Sequence, residues 1–64
     1  MKVGDPVEVR WNGTALGRAH IADLPDPNKV IVKATRRVLA ARTVETPKEW
    51  LVPRPEGGWV LDLR

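Results

Sequence analysis

The chain contains no cysteine, serine, tyrosine or phenylalanine, and its single histidine is His20. Without cysteine there is neither a disulfide nor a thiolate metal site, and one imidazole cannot build a zinc centre alone. The missing Ser, Cys and Tyr remove the commonest nucleophiles and a common phenolic acid. The carboxylates (Asp5, Glu8, Asp23, Asp26, Glu45, Glu49, Glu56 and Asp62) fall among basic neighbours. They lack the apolar context that raises a carboxyl pKa for acid–base catalysis. The pair Gly57-Gly58 is a turn signal, not a phosphate-cradling loop. No stretch approaches the roughly 20 apolar residues of a membrane span, and Met1 to Pro6 carries no signal-peptide apolar run. The expectation is a non-enzymatic chain located in the cytoplasm. It should have no catalytic residues, no metal, no cofactor, no small-molecule substrate and no membrane partner.

What is present reads as one globular domain spanning residues 1–64. Hydrophobic residues make up 42% and charged residues 30%, and 6 prolines demand frequent turns. A chain this short buries only about 60% of its unfolded surface, so it stands on a small core or on oligomerisation. Val7, Val9 and Trp11 alternate with Glu8 and Arg10, the period of a half-buried strand, and Asn12-Gly13 follows as a hairpin turn. A second strand is expected from Leu16 to Leu24, with Ala19 and Ile21 inward, Arg18 and His20 outward, and Gly17 at a bulge. Leu24-Pro25-Asp26-Pro27-Asn28 reads as a turn, because two prolines cannot continue a ladder. In the third strand, Val30, Val32 and Ala34 share one face, and Lys29, Ile31 and Lys33 share the other.

Residues 35–44 are open between helix and strand. Val38-Leu39-Ala40-Ala41-Arg42 has good helix propensity, yet no clean cap opens it and no glycine closes it. Among short strands it is read as a hairpin turn plus a fourth strand, Leu39 to Glu45. Thr46-Pro47-Lys48-Glu49 has the spacing of a capping box and predicts one helical or 3-10 turn ending by Pro53. Glu56-Gly57-Gly58 then turns the chain into a closing strand, with Trp59, Leu61 and Leu63 inward. The expected fold is all-β: a small five-stranded SH3-like (Tudor-like) barrel with that one turn before its last strand.

The segment Val7-Glu8-Val9-Arg10-Trp11-Asn12-Gly13, followed by Arg18-Ala19-His20-Ile21, resembles the opening hairpin of Tudor and Agenet domains. Glu49-Trp50-Leu51-Val52-Pro53 looks like their closing segment, and Gly4-Asp5 leading into Val7 and Val9, with Gly17 before Ile21, is similar to the KOW motif. Both likenesses imply an SH3-like barrel. The chain departs from methyl-lysine readers by having Ala15 and Leu16 where those often carry aromatics. A cation–π cage needs several converging rings, and only Trp11, Trp50 and Trp59 are available.

The net charge is +3, and all of the excess lies in residues 33–64. From Lys29 to Arg42 there are five basic residues (Lys29, Lys33, Arg36, Arg37 and Arg42) and no acid. On a strand and hairpin these cations would form a face for DNA or RNA phosphates, with weak sequence specificity. The same cations would also serve as a solubilising face that guards a strand edge. Trp11 and Trp59 read as core because each continues an apolar stripe. Trp50 also reads as core, although a ring at a barrel rim could stack on a base. His20 reads as a surface residue, and as a phosphate donor if it lines the basic face. The alternative role is a protein-interaction or self-association module that uses an apolar patch around Leu16, Ile31 or Leu39.

Overall fold

The computed structural model describes residues 1–38 and 41–63, with the side chains of all of these except residues 36–38 and 41. Among the described residues, six strands form in chain order: β1 (Pro6–Trp11), β2 (Thr14–Asp26), β3 (Lys29–Val38), β4 (Ala41–Pro47), β5 (Leu51–Pro53) and β6 (Trp59–Leu63). One 3-10 turn, Lys48–Trp50, joins β4 to β5. The strands make a single sheet in the order β4-β3-β2-β1-β6-β5. Its two edge strands, β4 and β5, are therefore joined through that three-residue turn, which curls the sheet into a half-barrel.

The β1–β2 hairpin forms for the reason its sequence suggests. Asn12 (φ 50°) and Gly13 (φ 79°) both take positive φ, the geometry of the tight turn that matches strand twist. Val9 lies opposite Gly17 and Arg10 opposite Ala15, so Leu16 is the extra residue of a bulge beside Gly17. On β3, Val30, Val32 and Ala34 are all buried, whereas Lys29 and Lys33 are exposed and Ile31 half-buried. Among the described residues, the core consists of Val7, Val9, Ala19, Ile21, Val30, Val32, Ala34, Leu51 and Leu61. Met1, Trp50, Trp59 and Leu63 pack against its margin.

Four expectations need correction. The sheet has six strands, not five, because β6 runs parallel to β1 and offers its other edge to Leu51–Pro53. A three-residue strand between a 3-10 turn and a proline shows no alternation to read. Next, β2 continues through Pro25 to Asp26 instead of turning at Leu24. Register shifts between Ile21 and Asp23 and between Asp23 and Asp26 place Pro25, which has no N–H, where no regular ladder bond is required. The turn itself is short, with the Asn28 N–H donating to Asp26 Oδ1 at 2.7 Å.

The third correction concerns Thr46. It does not cap the 3-10 turn; Pro47 occupies the cap position with no side-chain cap bond. Thr46 instead lies next to last in β4 opposite Val30, 1% exposed, and its Oγ1 donates weakly to the Pro47 carbonyl at 3.4 Å. The turn is held by the Lys48 N–H donating to the Asn28 carbonyl at 2.8 Å. The fourth concerns Trp11, which is 45% exposed. Its apolar stripe does continue from Val7 and Val9, but β1 ends there and its partners on either side are terminal residues, Thr14 and Leu63. Residues 35–38 and 41–44 are strand, which settles the helix alternative for them; Leu39 and Ala40 lie outside the described residues.

The N-terminal turn is tied to the sheet at Asp5. The Ile21 N–H donates to the Asp5 carbonyl at 2.9 Å, and the Gly4 N–H donates to the Ile21 carbonyl at 2.8 Å. The Asp5 carboxylate accepts from the Lys2 N–H at 3.0 Å and from the Trp59 indole N–H at 3.2 Å, so the N-terminal turn is joined to β6. These donors, the Lys2 amide first and the Trp59 indole second, hold the carboxyl below its ordinary value of 3.8. A depressed carboxyl pKa stabilises the fold above the unfolded value, and that contribution disappears as pH falls through the folded value. Urea melts at pH 7 and pH 3 should therefore differ less for Asp5→Asn than for the parent chain. An equal difference in both would contradict the assignment.

Candidate functional site

Of the five cations expected to converge, Lys29, Lys33 and Arg42 have described side chains, and these three stand in different surroundings. Lys29 lies opposite Asp26 on β2 and Pro47 on β4, and its Nζ pairs with Glu45 Oε1 at 3.4 Å. That exposed pair adds little stability, but it cancels the local field. Lys33 lies four residues along the same strand, about 13 Å away at the usual strand rise. Its cross-strand partners are His20 on β2 and Thr43 on β4, and all three side chains are exposed.

Arg18 stands on the outer face of β2, two residues before His20 and opposite Glu8 of β1. Among the described residues neither Arg18 nor Lys33 makes an ion pair. The outer face of β2 and β3 thus carries Arg18, His20 and Lys33 together, on strands about 4.8 Å apart. Glu8, the acid closest in register, is engaged by Arg10, whose guanidinium pairs with it at 2.7 Å.

Arg42 is exposed and makes no ion pair among the described residues. Strand alternation sets it on the face opposite Thr43, so it does not share the outer face of Lys33. Arg36 and Arg37 fall within β3, and their side chains lie outside the described residues. Trp50 is half-buried and packs against the core, as does Trp59. Arg18 is far from the Lys29–Arg42 run in sequence and joins this face only through strand pairing. The available signal was parity: residues 18 and 20 share the outer face of the strand that pairs with β3.

Of the residues expected to make an apolar patch, Leu16 is 40% exposed at its bulge. Ile31 is half-buried between Asp23 and Glu45, which interrupt any apolar surface there, and Leu39 lies outside the described residues. Among the described residues, the titrating groups with displaced values besides Asp5 are Arg54, raised, and Glu56, lowered, each chiefly by hydrogen bonding to the other. Both lie in the loop between β5 and β6, and Arg54 lines a surface hollow with Glu8 and Arg18. Among the described residues, no three His, Asp or Glu side chains lie together as metal ligands, and no helix is long and apolar enough to cross a membrane.

The curled, almost helix-free half-barrel fits a generic SH3-like barrel. No family model, curated protein or solved structure matches the chain.

Proposed function

We propose that the chain is a non-enzymatic binding module that grips nucleic-acid phosphates through the outer face of β2 and β3. The observation that carries this reading is the placement of Lys33 directly opposite His20, with Arg18 on the same face and no carboxylate paired to either cation. Arginine offers a planar fork suited to phosphate oxygens, lysine a mobile point charge, and imidazole a hydrogen bond to the same group. Such contacts read no base edges, so binding is weakly specific for sequence. The likeness of the opening hairpin to Tudor, Agenet and KOW segments agrees with a barrel of this kind used for binding. Lys29, paired with Glu45, is left outside the proposed interface.

Fluorescence anisotropy with labelled duplex and single-stranded oligonucleotides across a salt series tests this. About two phosphates neutralised, by Arg18 and Lys33, give a log–log salt slope near −2 on duplex. Replacing Arg18, His20 and Lys33 together by alanine should weaken binding about tenfold or more at low salt, while Lys29→Ala changes it little. Undetectable binding at low salt, or equal affinity in the triple variant, overturns the proposal.

A further inference from the structure

One pole of the half-barrel collects an exposed ring and cationic residues. β1 and β3 are both antiparallel to β2, and β6 is parallel to β1, so the three strands end at the same pole. Trp11 and Leu63 end β1 and β6 there, Arg36 and Arg37 lie near the end of β3, and Arg42 lies at the start of β4. Trp11 is 45% exposed, and Leu16 is 40% exposed in the adjoining bulge. The acids nearest in register, Glu8 and Asp62, flank Arg10 on the outer faces of β1 and β6. Alternation puts them on the face opposite Trp11. Asp26, Glu45 and Glu49 belong to the other pole with Pro25, Pro27 and Pro47.

An indole open to solvent at the pole where β3 ends and β4 begins, strands that carry arginines in sequence, complements a polymer that carries both flat rings and phosphates. In a duplex the ring faces are covered by neighbouring base pairs; in a single strand they are free to stack on a side chain. Trp50 and Trp59 are half-buried against the core, which leaves Trp11 as the accessible stacking surface. We infer that the ligand is single-stranded nucleic acid, with a base stacked on Trp11, a phosphate further along held by Arg42 on that same face, and the strand passing over the rim of the half-barrel to reach the outer β2–β3 face. This inference rests on the phosphate-binding reading above and specifies its ligand.

The test titrates the intact chain and its Trp11→Leu variant with a single-stranded oligonucleotide, a hairpin duplex of the same charge, and inorganic polyphosphate. Anisotropy gives affinity, and intrinsic tryptophan emission reports stacking. The parent chain should prefer the single strand, with emission quenched on binding. Trp11→Leu should lose most of the quenching and about tenfold in single-strand affinity, but keep its affinity for polyphosphate. Because Trp11 is exposed, the variant should keep the parent circular-dichroism spectrum. The preference for single strand over duplex in the parent is a readout that needs no variant. Equal affinity for single strand and duplex, with quenching unchanged in Trp11→Leu, overturns the stacking inference while leaving phosphate binding intact. Absence of binding to all three polyanions overturns both.

Discussion

Leu61→Ala is expected to lower the unfolding free energy by about 3–4 kcal/mol, the cost of removing a fully buried leucine from a packed core. Leu61 is 0% exposed and lies opposite Val9 on β1 and Leu51 on β5. It is therefore the side chain through which the parallel β1–β6 pair and the short β5 share one core. Small residues such as Ala19 and Ala34 also line that core and cannot extend into the space left behind. A chain of this length has a total stability of roughly 3–10 kcal/mol, so the variant should be largely or wholly unfolded at 25 °C. Urea denaturation read by far-ultraviolet circular dichroism checks this. Val52→Ala, at a residue 57% exposed on the neighbouring strand, should shift the curve by no more than about 0.5 kcal/mol. Equal effects from the two substitutions would mean that β5 and β6 do not pack as described.

Gly58→Ala is expected to cost about 2–4 kcal/mol, for two separate reasons. Gly58 has φ +79°, a conformation that burdens an L side chain by roughly 1–2 kcal/mol. A Cβ there would also stand 2.8 Å from the Pro6 carbonyl oxygen and 2.9 Å from the Pro6 ring. The obstacle includes backbone at the start of β1, so relief requires the β1–β6 pair to separate, which adds a packing penalty. Gly57 provides the control. Its φ is +106°, but a Cβ there meets nothing within 4 Å. Gly57→Ala should thus carry only the backbone term, and the difference between the two melting midpoints isolates the close approach. If Gly57→Ala proved as damaging as Gly58→Ala, the contact between the loop and Pro6 would not limit stability.

Much of the fold was legible because period-two alternation is a local signal. Val7 and Val9, Ala19 and Ile21, and Val30, Val32 and Ala34 are all buried as their spacing implies. Asn12-Gly13 makes its turn where the two residue types require it. What was not legible depends on neighbours that alternation cannot see. The three residues of β5 are too few to show a period, and only the parallel placement of β6 beside β1 gives them a partner. Pro25 signals a turn locally, yet register shifts in β2 accommodate it within the sheet. Thr46 matches a capping-box spacing, but its strand carries it into the core opposite Val30, where burial prevails over capping.

The candidate site was legible by composition rather than by position. The acid-free run from Lys29 to Arg42 marks where positive charge is concentrated, but a strand distributes such a run over two faces and several rows. Lys29 and Lys33 do share a face, yet one meets Glu45 and the other meets His20. Pairing across β2 and β3 is a long-range property, so the addition of Arg18 required the register. Trp11 shows the converse: an apolar stripe shows which face a ring shares, but not whether the barrel still covers that face at the end of the strand.

The most direct measurement of the central claim is an amide ¹H–¹⁵N NMR titration of the intact chain with a short oligonucleotide at low salt. Phosphate binding through the outer face of β2 and β3 predicts the largest shifts at Arg18, His20 and Lys33 and at their cross-strand neighbours, fading as salt is raised. Shifts confined to the opposite pole, around Pro25 to Asn28 and Pro47 to Glu49, or no shifts at saturating oligonucleotide, would contradict it.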